Sequence, residues 1–389
     1  MRIPASIPID RSIEGATQPM NPTHPLRHAV IGVGAGVLGM HLPALALESV
    51  QVVGATDVDA ERGRGHAEEL GCPFFVDHRR LLAETRPDVA VVLTPHPFHA
   101  PIAIDCLEAG CHVLVEKPMA VHVAEADAMI AAAERADRLL AVNFQQRFRP
   151  EVQTARRLID NGQLGQIQRV ELVETWTRTA AYYKLGAWRG TWAGEGGGVL
   201  LNQAPHGLDL LCYLAGMPSR LVAWTRRLIQ KIETEDTAHA MLEWSSGALG
   251  TVHISTAETG QPQRLEIHGT AGALRVERGG LVVHRFDSDL REFIAHSPEP
   301  FAAPASQPVP VEIPAGAGNH LAVYHDLHRA IREAQPLDVD GVSARRSLEL
   351  ANAMIYSSYT GQQVQLPLDR QAYLALLERL KHGTHPPTA

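Results

Sequence analysis

Two side chains in this sequence stand where proton chemistry needs them. Lys117 lies in Glu116-Lys117-Pro118, directly after the apolar run His112-Val113-Leu114-Val115. Loops at the carboxyl ends of buried parallel strands face a ligand crevice. A lysine held there loses hydration, its pKa falls, and it can stabilise a developing alkoxide and pass a proton on. His206 follows Asn202 by one helical turn, and Pro205 marks the start of a helix. An imidazole titrates near neutral pH and serves as acid or base. The plainer readings are a surface ion pair for Glu116 and Lys117 and a core histidine at a helix start for His206. The strand-end position before a proline favours chemistry for Lys117.

A second group of residues is suited to holding a ligand. Ala29-Val30-Ile31 runs into Gly32-Val33-Gly34-Ala35-Gly36-Val37-Leu38-Gly39. A buried strand, a tight turn and a helix start bring free backbone N–H groups against a phosphate. This is the turn that holds a dinucleotide pyrophosphate, and Gly32, Gly34, Gly36, Val37 and Leu38 are its candidates. The register is ambiguous. Counting from Gly34 satisfies G-x-G-x-x-G, and counting from Gly32 puts Val37 in the third glycine position. A glycine-rich turn of some other α/β protein is the bland alternative. Asp57 ends the next apolar run, Val50–Thr56, and lies 23 residues after Gly34. A carboxylate there accepts hydrogen bonds from an adenosine ribose and repels a 2′-phosphate, which favours NAD. Arg62 and Arg64 keep NADP open, and a helix cap is the alternative role for Asp57.

These residues require a scaffold, and the chain supplies its pattern. Val89–Leu93 reads as a strand buried on both faces, and it ends at Thr94-Pro95-His96-Pro97-Phe98-His99. Helices follow at 101–109 and 123–137, and Leu139–Val142 leads into Asn143-Phe144-Gln145-Gln146-Arg147-Phe148. Alternating strands and helices mean a doubly wound parallel sheet. After Pro150 the texture changes. Runs at 168–175, 221–229, 237–244, 249–256, 264–268 and 273–277 alternate with period two, which argues for an antiparallel sheet covered on one face. Residues 297–318 read as an irregular connection, and 320–334 and 343–360 as helices. The expected division is a disordered tail over 1–25, a nucleotide-binding domain over 26–149 and an α/β domain over 150–389. The C-terminal helices are placed to pack back on the first domain.

The glycine turn, Asp57, Thr94-Pro95 with His99, Glu116-Lys117-Pro118, and Gly196-Gly197-Gly198 leading to Asn202 and His206 together resemble the Gfo/Idh/MocA oxidoreductase family. The resemblance runs from about His28 to Leu366. It implies a Rossmann domain followed by an α/β domain with a large open sheet. It also implies NAD(P)-linked oxidation or reduction of sugars, cyclitols or related polyols. On that resemblance Lys117 and His206 form the catalytic pair. Thr94, Pro95, His96, His99, Glu116, Lys117 and Gln145 lie on the cofactor, and Asn202, Arg189, Trp188 and Arg147 line the substrate cleft. An ordinary aromatic–arginine stack is the alternative for Trp188-Arg189. Tyr182, Tyr183 and Lys184 are within plausible reach of substrate, and Asp209 either orients His206 or caps locally. Asn202 is a departure, since many relatives carry aspartate there. Asparagine is no base, but it holds a hydroxyl with both donor and acceptor. Two rival functions stay open: a non-catalytic NAD(P)-binding transcriptional sensor, and a glycosidase that uses NAD for transient oxidation.

Composition excludes other classes. A formal charge of −8 over 389 residues argues against nucleic-acid binding, and no apolar run is long enough to span a bilayer. The four cysteines show neither metal spacing nor a disulfide framework, which suits a reduced, cytoplasmic protein. His325 and His328 share a helix face without a third ligand, so they read as a solvated face and no metal is expected. An open sheet with an uncovered apolar face seeks a partner, and the family resemblance implies a homodimer or homotetramer through it.

Overall fold

The computed structural model describes residues 24–260 and 262–383. The tail expected over 1–25 lies almost wholly outside them. Six strands build the first sheet: β1 (Leu26–Ile31), β2 (Val50–Thr56), β3 (Phe74–Phe75), β4 (Val89–Val92), β5 (His112–Val115) and β6 (Leu140–Val142). All are parallel, in the order β3-β2-β1-β4-β5-β6. Every residue of β4 is buried, as helices on both faces demand. The order reverses between β1 and β4, so the turns after these strands splay apart and leave a crevice.

Nine strands build the second sheet: β7 (Ile167–Thr175), β8 (Arg220–Arg226), β9 (Thr237–Glu243), β10 (Leu249–Ser255), β11 (Arg264–Gly269), β12 (Gly272–Glu277), β13 (Gly280–Phe286), β14 (Ser306–Pro308) and β15 (Val364–Gln365). Their order is β14-β13-β12-β11-β7-β10-β9-β8-β15, antiparallel except for β7 and β10. Alternation decides the faces. Ala238, Ala240 and Leu242 of β9 turn inward with Val252 and Ile254 of β10. Trp224, Met241 and Leu249 turn outward and stay about half exposed. The apolar run 221–229 does not remain a strand to its end. The Asp236 carboxylate accepts the backbone N–H of Leu228, Ile229 and Gln230, which bends the chain away from the sheet.

Two contacts tie distant parts of the chain together. The helix His320–Glu333 returns to the first sheet, where Val323, Tyr324 and Leu327 pack with Val30, Val91 and Leu38. Arg147, expected in the cleft, is buried instead. Its guanidinium grips both oxygens of Asp209, at 2.8 and 2.5 Å, and also reaches the Asp338 carbonyl and the Ser343 hydroxyl. Neither Arg147 nor Asp209 is free for substrate or for His206. A planar fork meeting a carboxylate away from water explains why.

His325 is exposed, as a solvated face requires, but His328 is buried. Its Nε2 lies 3.2 Å from Nε2 of His28 on β1. Burial lowers the His28 pKa to about 4 and that of His328 to about 3. Both are neutral when folded and charge near the ordinary value of 6.5 when unfolded. Unfolding therefore takes up protons between pH 6.5 and 4, and stability falls with acidity by about 1.4 kcal/mol per pH unit for each histidine. Denaturant titrations across this window should show that slope, and His28→Leu with His328→Leu should flatten it.

Candidate active site

The crevice begins at the first turn. Gly32 has φ +92°, and a Cβ there would stand 2.9 Å from the Thr94 backbone nitrogen. At Gly34 a Cβ would stand 2.9 Å from Asp57 Oδ2, the oxygen that accepts the Gly34 N–H at 2.7 Å. Gly36 has open space around it. The glycine pattern is therefore counted from Gly32, and Val37 occupies its third position. The helix Leu38–Leu45 has no side chain capping its start; the Leu38 and Met40 N–H groups donate to the Ala35 and Val37 carbonyls, at 3.1 and 2.9 Å. Asp57 ends β2 and also accepts the Asp59 N–H at 2.9 Å.

The loops after β4 and β5 are stitched together by His99. Its Nδ1 meets the Pro118 carbonyl at 2.8 Å and its Nε2 the Thr94 carbonyl at 2.6 Å. Both ring nitrogens are thus committed to backbone, and His99 supports the loops rather than facing a ligand. His96 is buried, with Nδ1 3.3 Å from the Glu195 carbonyl and its ring edge-on to Trp188. Burial holds its pKa well below the ordinary value. Glu116 is also an internal group. Its Oε1 accepts from His41 Nε2 at 2.9 Å and from the Asn143 amide, and its Oε2 accepts the Lys117 N–H. Burial alone would raise its pKa, but hydrogen bonds from His320 and His41 outweigh that and keep the carboxylate charged. Tyr324 closes the chain, with its hydroxyl 3.0 Å from His41 Nδ1.

Lys117 projects from this clamp. Its Nζ donates to the Asn202 carbonyl at 2.8 Å. Burial lowers its pKa, and the charges of Arg189 and Arg178 add to the effect against Glu116 and Glu195. His206 is pushed down to about 3 by burial first and by the Lys117 charge second, so amine and imidazole share one electrostatic environment. The His206 ring stands edge-on to Phe144, and its Nδ1 is buried without a partner.

Asn202 is held by its neighbours. Its amide donates to Glu195, and its oxygen accepts from the Tyr182 hydroxyl at 3.3 Å. Gln203 and Arg189 both donate to that hydroxyl, at 2.9 and 2.7 Å. The Arg189 guanidinium stacks on the Tyr182 and Trp188 rings, at 4.5 and 4.4 Å from their centroids. The aromatic–arginine stack is therefore present and stands beside Lys117. Two carboxylates here went unread in the sequence. Glu195 accepts the Gly190 N–H, and burial raises its pKa. Glu235 accepts the N–H groups of Gly198 and Leu200 and so fixes the start of the helix Val199–Asn202, while burial lifts its pKa to about 7. A carboxylate directly before three glycines was the available signal for Glu195.

Thr94 Oγ1, Asn143 Oδ1, Gln145 Oε1 and His206 Nδ1 are buried without hydrogen-bond partners. Buried polar groups are rarely left so. Orphaned donors and acceptors, an uncapped helix start and a glycine turn with an acidic residue beside it fit a dinucleotide.

Comparison with known proteins agrees. Residues 26–144 match an oxidoreductase family with an NAD-binding Rossmann fold, and residues 152–275 match the GFO/IDH/MocA C-terminal domain. A 1-carboxy-3-chloro-3,4-dihydroxycyclohexa-1,5-diene dehydrogenase of Comamonas testosteroni is 33% identical over 59% of this chain. A D-glucoside 3-dehydrogenase of Escherichia coli (strain K12) is 30% identical over 57% of it. These matches span 58% and 62% of the two relatives, less than two thirds of their length. The WlbA dehydrogenase of Bordetella pertussis, crystallised with NADH and UDP-GlcNAcA, superposes with a TM-score of 0.77 at 28% identity. That match covers 89% of this chain and 99% of the other. With both lobes matched to parts of one family, the chain belongs to the Gfo/Idh/MocA oxidoreductases and carries their NAD-binding Rossmann domain.

Proposed function

We propose that the protein is an NAD-dependent dehydrogenase acting on a secondary alcohol, or the matching ketone, of a sugar, cyclitol or similar ring polyol. The observation that carries this is the partly buried Lys117 amine, held at 2.8 Å on the Asn202 carbonyl and close enough for its charge to act on His206. Relatives named for a glucoside and for a dihydroxylated ring support the substrate class. When bound, the nicotinamide supplies the hydride acceptor or donor.

The chain's own groups do the rest. The turn from Gly32 to Leu38 holds the pyrophosphate through the N–H groups of Gly36 and Val37, since those of Gly32, Val33, Gly34, Ala35 and Leu38 already donate within the protein, and Asp57 holds the adenosine ribose. Thr94, Pro95, His96 and Gln145 face the nicotinamide side. Lys117 Nζ takes the hydroxyl proton on oxidation and returns it on reduction. His206 is too weak a base to keep a proton at neutral pH, so its unpaired Nδ1 orients the reacting oxygen by hydrogen bonding. Asn202 spends its carboxamide on Glu195 and Tyr182 and thereby aims the carbonyl that holds Lys117. The outward face of the second sheet, with Trp224, Met241 and Leu249, forms the contact with a second copy.

Four experiments test these assignments. Lys117→Ala should lower turnover of a polyol by about 10²–10⁴-fold while leaving NAD binding by calorimetry intact. Oxidation by the native protein should rise with pH to a plateau below 10.5, because a neutral amine is needed and its pKa is lowered. Unchanged turnover in the variant rejects the assignment. Asp57→Ser should raise the efficiency with NADP relative to NAD about tenfold or more, since a carboxylate no longer repels the 2′-phosphate. Trp224→Glu should shift the native mass in light scattering toward a monomer.

A further inference from the structure

The segment after β7 carries two arginines that no carboxylate answers. Arg147, Arg149 and Arg370 are at least partly buried, and each is paired with an acidic side chain. Arg178 and Arg189 differ. Among the described residues neither has an acidic oxygen in ion-pair contact. Arg178 donates to the Thr177 carbonyl at 3.1 Å, and Arg189 to the Tyr182 hydroxyl at 2.7 Å. The Nε of each is buried with no hydrogen-bond partner.

Both guanidinium groups gather on one ring, at 5.2 and 4.5 Å from the Tyr182 centroid. Trp188 packs on Arg189 from another side, so its fork is fixed before any ligand arrives. Tyr182 contacts Asn202, which holds Lys117, and the two guanidinium groups act electrostatically on that amine. They are therefore part of the same crevice. Glu195 is the acidic group facing Lys117 and Arg189, and its two oxygens are occupied by Asn202 and Gly190. The site thus holds a surplus of partly buried positive charge whose two Nε–H groups lack acceptors. Such a surplus is costly until an anion completes it. A guanidinium fork suits the paired oxygens of a carboxylate or phosphate.

We propose that the substrate is an anionic sugar, whose carboxylate or phosphate is bound by Arg178 and Arg189 around Tyr182 while its reacting hydroxyl lies at Lys117. This rests on the crevice being a dehydrogenase site, and the test separates the two. Hexoses, their uronates and their phosphates are compared, with NAD present, by calorimetric binding and by NADH formation. An anionic member should bind about tenfold or more tightly than its neutral partner, and salt should weaken the binding. The uronate and phosphate arms show which oxyanion is recognised. Arg178→Gln should raise KM and Kd for the anionic sugar about tenfold and leave the neutral partner's values nearly unchanged, while Arg189→Gln should weaken the anionic sugar more than the neutral one. Because Arg189 also braces Tyr182, Arg178→Gln serves as the independent variant. The proposal fails if no anionic member binds better than its neutral partner, or if Arg178→Gln weakens both alike. Anion-dependent binding without NADH would sink the dehydrogenase reading and leave the anion site standing. Turnover of neutral sugars without charge preference would do the reverse.

Discussion

Arg147 and Asp209 form the joint on which the site depends. Arg147 leaves the end of the parallel sheet, Asp209 sits one turn beyond His206, and their two hydrogen bonds lock one lobe to the other. Burial gives the pair its rigidity, since losing either partner strands a charge away from water, at a cost of about 3–5 kcal/mol. The Ser343 hydroxyl and the Asp338 carbonyl extend the joint to a third stretch of chain. The distance between the strand-end lysine and the histidine helix is thus set by an interaction that touches no ligand.

Around that joint, local electrostatics divides labour between two basic groups. Lys117 and His206 are both driven toward neutrality by burial, but from different starting points. An amine begins high, so the same push brings it toward the range where protons move. An imidazole begins near neutrality, so the push takes it out of that range. The clamp of His41, His320 and Asn143 on Glu116 keeps a negative charge next to the amine and limits how far it falls. The pair is therefore unequal, although both residues looked like acid–base candidates.

Much of this could be read from the chain because strand-end chemistry is local. Gly32, Asp57 and Lys117 follow short apolar runs, and their positions come from period and turn alone. Arg147 was misplaced for the opposite reason. Its partner lies 62 residues away, and nothing in its own neighbourhood marks a buried carboxylate. His328 was likewise read from helix spacing, while its burial comes from His28, 300 residues earlier. Glu195 and Glu235 escaped notice because a carboxylate that caps backbone N–H groups leaves no periodic trace. The strand near 221–229 was overextended because hydropathy does not register Asp236 gathering three N–H groups.

The return of His320–Glu333 to the first sheet bears on how the molecule is made. Tyr324 is fully buried, and its hydroxyl reaches His41 across 283 residues. On a ribosome, the nucleotide-binding lobe must wait with one flank bare until most of the polypeptide has emerged. Its last apolar surface closes only after the second lobe has been synthesised. Neither lobe is then an interchangeable cassette, and inheritance of the two as a unit follows from where one late helix comes to rest.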